Sequence, residues 1–240
     1  MPITLITGGN KGIGLETARQ LARKGHTVLI GARDPKKGQA AVDALKHDGL
    51  TAHAVTLDVT SDKSIAAAVA DVTSRFKALD VLINNAGVML DPSDTPPSAT
   101  SQEVLRKSFD SNVFGLIAVT QAFLPLLRRS SAGRIVNLSS VLGSMAEHQD
   151  PSSSIYGNLR LAYNTSKAAV NMFTVQLAQE LKDTKIKVNA AHPGWVKTDM
   201  GGEEAPLEVE DGARTSVRLA TLPNDGPTGG YFYLNETLRW

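Results

Sequence analysis

The chain has 240 residues, with 25 Lys+Arg against 24 Asp+Glu and no cysteine. A net charge of +1 gives no field strong enough to make nucleic acid or an anionic membrane the main partner, so a small molecule is expected instead. The lack of cysteine excludes disulfides, thiolate metal sites and a cysteine nucleophile, and it suits a reducing compartment.

Met1-Pro2 leads directly into the apolar run Ile3–Thr7, with no basic segment before it and Gly8 straight after. It reads as a buried strand rather than a signal peptide. The turn Thr7-Gly8-Gly9-Asn10-Lys11-Gly12-Ile13-Gly14 then opens a helical pattern in which Leu15, Ala18, Leu21 and Ala22 recur every three or four residues. Glycines between a strand and a helix let the backbone approach a pyrophosphate at the positive helix end, although an ordinary βα turn has the same composition. After the next strand, Thr27–Ile30, Asp34 lies 20 positions beyond Gly14, where an acid holding the ribose of NAD is expected. Asp34-Pro35 equally reads as a helix N-cap with proline in the first helical position.

Further strands are predicted at Ala52–Leu57, Val81–Asn84, Arg134–Ser139, Lys187–Ala191 and Tyr231–Leu234, with helical spacing between, as at Ile65, Ala68, Val69, Val72 and Phe76. The alternation predicts an α/β fold: a single Rossmann-type doubly wound domain over residues 1–240, its seven-stranded, mainly parallel sheet covered by helices on both faces. The apolar stretch Leu116–Leu127 is too short for a bilayer, which needs about 20 residues, so a soluble cytoplasmic protein is expected. Turn-rich connections at 91–101, 145–160 and 194–206 should follow strand ends, where α/β sheets bind ligands. The segment 145–160 and the loop 194–206 are expected to form a substrate mouth. His26, His47, His53, His148 and His192 are dispersed without metal-ligand spacing, and no metal is expected.

In Tyr163-Asn164-Thr165-Ser166-Lys167, phenol and amine are four residues apart in a predicted helix and share one face. Lowering a phenol from its usual pKa by some three units takes about 4 kcal/mol, much of which an adjacent cation can supply. Such a phenol can give a proton to a carbonyl oxygen. Tyr156 and Arg160 have the same spacing, but Gly157 breaks the helical pattern between them.

Taken in order, Thr7-Gly8-x-x-x-Gly12-x-Gly14, Asp58 in Leu-Asp-Val-Thr, Asn84-Asn85-Ala86-Gly87, Asn112, Ser139-Ser140, Tyr163-x-x-x-Lys167 and Pro193-Gly194 resemble the short-chain dehydrogenase/reductase family over nearly the whole chain. The resemblance implies that Gly8, Asn10, Lys11, Gly12, Ile13 and Gly14 hold a dinucleotide. It places adenine against Asp58 and the Val59 backbone, and the rest of the cofactor beside Asn85, Ala86 and Gly87. The nicotinamide amide falls to Pro193, Gly194, Val196 and Thr198, and its ribose to Lys167. Tyr163 becomes the proton donor, Ser140 orients the carbonyl with Ser139 as the alternative, and Asn112 holds a helix distortion and a water that leads toward Lys167. The family position that is acidic in NAD-dependent members falls on Ala32, and Arg33 follows it. Arg33, Lys37 and either Asn10 or Lys11 are then placed around a 2′-phosphate, which favours NADP(H), with NAD(H) possible.

Ser140 and Tyr163 are 23 positions apart, more than the family pattern has, and the excess lies in 145–160. This resembles the carbonyl reductase branch, with Ile155, Tyr156 and Leu159 at the mouth. Monomer and homo-oligomer (dimer or tetramer) both stay open, since the apolar helices at Leu116–Leu127 and Ala168–Leu181 serve core or interface equally well. The implied activity is NADPH-dependent reduction of an aldehyde, ketone or quinone. The alternatives are an alcohol or steroid-like dehydrogenase running oxidatively, and an NADP(H)-binding regulator without turnover.

Overall fold

The computed structural model describes residues 1–92 and 95–240. Along the chain, β1 (Ile3–Thr7), α1 (Gly12–Arg23), β2 (Thr27–Ala32), α2 (Pro35–His47), β3 (Ala52–Thr56), α3 (Asp62–Arg75) and β4 (Val81–Asn84) alternate. Next come α4 (Gln102–Phe109) and α5 (Leu116–Leu127), joined by a π-helical turn over Asp110–Gly115. The second half holds β5 (Arg134–Leu138), α6 (Met145–Gln149), α7 (Leu161–Glu180), β6 (Lys187–Ala191), α8 (Val209–Ala220), β7 (Tyr231–Tyr233) and β8 (Glu236–Thr237).

The strands form one sheet in the order β3-β2-β1-β4-β5-β6-β7-β8, all parallel except β8. Successive residues of each central strand feed opposite cores. Leu5, Leu29, Leu82 and Ile135 pack under α3, α5 and α7, whereas Ile6, Ile30, Ile83 and Val136 pack under α1, α2 and α8. Burial on both faces is why these strands read as continuously apolar.

Two expectations are corrected. The sheet has eight strands rather than seven, because the chain turns back after Tyr233 and pairs β8 antiparallel to β7. The reversal runs through Leu234 at φ +49°, a conformation usually left to Gly or Asn, and Leu234 N–H is held by Thr215 Oγ1 at 2.8 Å. The turn is Leu234-Asn235, so Asn235 is its local signal, while leucine rather than glycine fills the position of positive φ. The apolar stretch Leu116–Leu127 is the end of an unbroken 26-residue helix from Gln102, long and apolar enough to cross a bilayer, with half of its most apolar window buried. The π turn keeps α4 and α5 in one helix.

Strand order reverses between β1 and β4, and the crevice there is cross-linked by side chains. Thr7 Oγ1 accepts from the N–H groups of Asn85 and Ala86, both at 3.0 Å, while Asn85 Nδ2 donates to Thr7 O (2.8 Å) and Gly8 O (3.1 Å). Below, Asn84 Nδ2 donates to Thr120 Oγ1 and Asn137 Oδ1, both at 2.8 Å, and Asn137 Nδ2 donates to Thr174 Oγ1 at 2.9 Å. This buried ladder joins α5, β4, β5 and α7. It sets the height of the helices that carry Asn112 and Tyr163.

Candidate active site

The turn after β1 presents backbone rather than side chains. α1 starts at Gly12, and its N-cap, Lys11, has no side-chain hydrogen bond to the first turn, so that end of the helix dipole is not capped from within. Gly8 and Gly12 have φ of +61° and +52°, and a Cβ at Gly14 would stand 2.5 Å from Asn85 Nδ2 and 2.6 Å from Gly8 O. Such a cradle fits the diphosphate of a dinucleotide. Across the groove lies the segment after β6. Pro193 leads into Gly194 at φ +86°, Val196 bridges to Leu207, and Thr198 Oγ1 accepts from Gly201 N at 3.1 Å. The Thr198 side chain comes within 3.4 Å of a Cβ built on Gly12.

At the outer end of this groove, Arg33 and Lys37 are exposed, whereas Asp34 Oδ1 accepts from Lys36 N (2.9 Å) and Lys37 N (3.3 Å). Asp34 is therefore the N-cap of α2. Lys11 is drawn the other way, to Asp199 at 2.6 Å, and Asn10 is half-buried in the turn. Asp58 Oδ1 accepts from Thr60 N and Thr60 Oγ1, and these bonds, helped by the charge of Arg33, hold its carboxyl below the usual range. Beside it, Val59 O lies 2.6 Å from a Cβ built on Gly115, so the π turn lies against Val59.

Tyr163 and Lys167 come together on the first turns of α7, both buried, with Nζ 5.5 Å from the ring centroid. Lys167 Nζ donates to Leu138 O at 2.8 Å, and burial pushes the ammonium down to about 8. The phenol departs from expectation. Burial pushes Tyr163 up to about 12, against the opposing pull of a hydrogen bond with Ser140 and the charge of Arg160. The physical reason is placement, since the Lys167 ammonium sits over the ring and bonds a backbone carbonyl, leaving desolvation to dominate.

Alternation along the end of β5 separates the two serines. Ser140 meets Tyr163, whereas the Ser139 hydroxyl donates to Asn171 Oδ1 at 2.5 Å on the other side. Asn112 lies in the π turn, where its Oδ1 accepts from Val88 N (2.7 Å) and its Nδ2 donates to Val88 O (2.8 Å) and Ser166 Oγ (3.0 Å). A Cβ on Gly87 would lie 3.3 Å from Asn112 Oδ1 and 3.6 Å from Lys167 Nζ, so the end of β4, the π turn and α7 converge. Tyr156 is not part of this group. It is 56% exposed and is followed by Gly157 at φ +83°, while Arg160 NH1 lies on Met89 Sδ.

Several neighbours are not legible in the sequence motifs. Asp91 accepts from the N–H groups of Ala162 and Tyr163; in its loop, 91–101, residues 93 and 94 lie outside the described residues. The segment 145–160 begins as α6, and Arg239 pairs with Glu147 (2.7 Å) and Asp150 (3.0 Å). His192 packs on Tyr233, accepts from Val141 N at 3.3 Å and is pushed by burial down to about 4. The unfolded histidine takes up its proton near 6.5 but the folded one resists until about 4, so about 3 kcal/mol of stability is lost as pH falls through that window. Urea midpoints between pH 7 and 4.5 should fall less steeply in His192→Asn than in the parent.

A family model described as short chain dehydrogenase matches residues 2–208. The chain belongs to the short-chain dehydrogenase family. It is 40% identical over 228 residues to the short-chain dehydrogenase anuI of Penicillium roqueforti, covering 92% of this chain and 88% of that one. It is 33% identical over 277 aligned residues to carbonyl reductase [NADPH] 1 of Mus musculus, covering 100% and 98%. The NADPH-bound carbonyl reductase from chicken fatty liver superposes with a TM-score of 0.86 at 31% identity, covering 100% of both chains. This short-chain dehydrogenase thus shares its whole architecture with carbonyl reductases.

Proposed function

We propose that the protein is an NADPH-dependent reductase of a carbonyl group in an aldehyde, ketone or quinone. The observation that carries the reading is the convergence of Tyr163, Ser140 and Lys167 at the strand ends, one groove away from the glycine turn. NADPH bound there supplies a hydride to the carbonyl carbon. The turn from Gly8 to Gly14, with Asn10, Lys11 and Ile13, holds the diphosphate, Asp58 and Val59 the adenine, and Asn85, Ala86 and Gly87 border the middle of the groove. Pro193, Gly194, Val196 and Thr198 receive the nicotinamide amide. Lys167 bonds the ribose hydroxyls, and Asn112 keeps the π turn in register with Gly87 and Ser166. Ser140 orients the carbonyl oxygen, and the Tyr163 hydroxyl gives it a proton. Segments 145–160 and 194–206 form the mouth of this single domain.

Reduction and alcohol oxidation would use the same Tyr163 hydroxyl, as acid in one direction and as base in the other, so the cofactor ratio sets the direction; the carbonyl reductase relatives support reduction. Preference for NADP(H) is supported by exposed Arg33 and Lys37 and by the lack of a carboxylate at Ala32, with Asp34 engaged as a cap. The mouse and chicken relatives carry NADPH in their names.

The test is the fall of NADPH absorbance against a panel of aldehydes, ketones and quinones. Turnover is expected with at least one class. In Arg33→Ala, KM for NADPH should rise about 10- to 100-fold, the worth of charge-assisted bonds to a phosphate, while KM for NADH stays put. Binding of NADPH without turnover anywhere on the panel would leave the regulator reading. An equal loss for both cofactors would remove Arg33 from the 2′-phosphate site.

A further inference from the structure

The helix that carries Tyr163 lacks a local cap. Arg160 occupies its N-cap position and makes no side-chain bond to the first turn. The first four N–H groups of any helix need partners from outside the helical ladder. Here Asn164 N makes the first bond of the ladder, to Arg160 O (2.9 Å), and Leu161 N donates to Leu159 O (3.1 Å), which leaves the N–H groups of Ala162 and Tyr163. Both are taken by one distant side chain: Asp91 Oδ1 accepts from Ala162 N at 2.8 Å and Asp91 Oδ2 from Tyr163 N at 2.9 Å. These bonds reach across 71 and 72 positions of sequence, from the loop after β4 to the start of α7.

From this geometry we infer that Asp91 is a positioning residue for the carbonyl reduction proposed above, and the inference rests on that reading. Both carboxylate oxygens are engaged, and one of them holds the backbone N–H of Tyr163 itself. The anion also sits at the positive end of a 20-residue helix, where it is favoured. Asp91 follows Val88, whose backbone bonds the Asn112 side chain, and Gly87, where a built Cβ would stand 3.6 Å from Lys167 Nζ, so one short stretch after β4 borders Lys167 and holds the start of the tyrosine helix. The height of the phenol over the groove, and its distance from Ser140, then depend on Asp91. Displacing a reacting group by about 1 Å costs on the order of 10²-fold in rate.

The experiment compares Asp91→Ala, Asp91→Asn and Asp91→Glu with the parent, measuring kcat and KM for a carbonyl substrate and the Kd of NADPH by fluorescence. Asp91→Ala should lose about 10- to 100-fold in kcat with KM and Kd within about two-fold of the parent. Asp91→Asn keeps one acceptor and turns an amide N–H toward the other backbone N–H, so its kcat should lie between. Asp91→Glu, with both oxygens, should recover more than Asp91→Asn does. The inference is overturned if kcat is unchanged in both Asp91→Ala and Asp91→Asn, or if only KM rises, which would make Asp91 a brace of the mouth. It is also overturned if Kd for NADPH weakens in step with kcat, which would indicate general loosening. Should Asp91→Ala not fold, the order parent, Asp91→Glu, Asp91→Asn in kcat decides. Tyr163→Phe in the same assay separates the two readings: full activity there removes the proposed reaction mechanism, whereas an inactive Tyr163→Phe beside a fully active Asp91→Ala removes only the role of Asp91.

Discussion

Tyr163→Phe is expected to lower kcat for carbonyl reduction by about 10²- to 10⁴-fold, the range that a positioned general acid contributes. The substitution removes one oxygen and leaves the ring, which is buried and flanked by the Lys167 side chain, in place. Fold and cofactor affinity should therefore persist, and NADPH should still bind with near-parental Kd. The matched control is Tyr156→Phe. Its phenol is exposed and outside the cluster, so activity should be unchanged. Activity lost with Tyr156→Phe and kept with Tyr163→Phe would exchange the two roles.

Lys167→Met should abolish turnover and at the same time stabilise the protein in the absence of cofactor. Burial has taken the ammonium from 10.5 to about 8, so below pH 8 the folded state carries a cost of about 3 kcal/mol for keeping that charge. The sign is the reverse of a favourable ion pair: the unfolded lysine holds its proton up to 10.5 and the folded one releases it from about 8, so this cost fades as pH rises between the two. Methionine fills a similar volume and removes the charge, while Leu138 O loses its bond to Nζ. A net gain of about 2 kcal/mol, seen as a Tm higher by several degrees at pH 7, is expected to vanish above pH 10.5. In the parent, kcat/KM for NADPH should fall as pH rises through about 8, where the free enzyme loses the Lys167 charge. A destabilised Lys167→Met at neutral pH would mean that the amine is better solvated than its burial implies.

Both effects come from one design. The stability cost falls on the buried Lys167 ammonium, since a neutral phenol carries no charge into the core, and the buried Thr120–Asn84–Asn137–Thr174 ladder ties together the elements around the pair.

What the chain reveals before it folds is whatever is written in short-range periodicity. The apolar runs that become β1 to β7, the glycine turn between β1 and α1, the Asp34-Pro35 cap and the four-residue step from Tyr163 to Lys167 all depend on neighbours within a few positions. Tertiary structure alone decided that Lys11 turns to Asp199 and that Asp91 caps a helix 70 residues away, and it turned Ser139 to Asn171 while Ser140, the serine favoured by the family resemblance, meets the phenol. It also set the direction of the tyrosine shift, upward where spacing alone pointed downward. These outcomes turn on burial and on contacts between distant segments, and neither quantity exists in the local pattern of an unfolded chain.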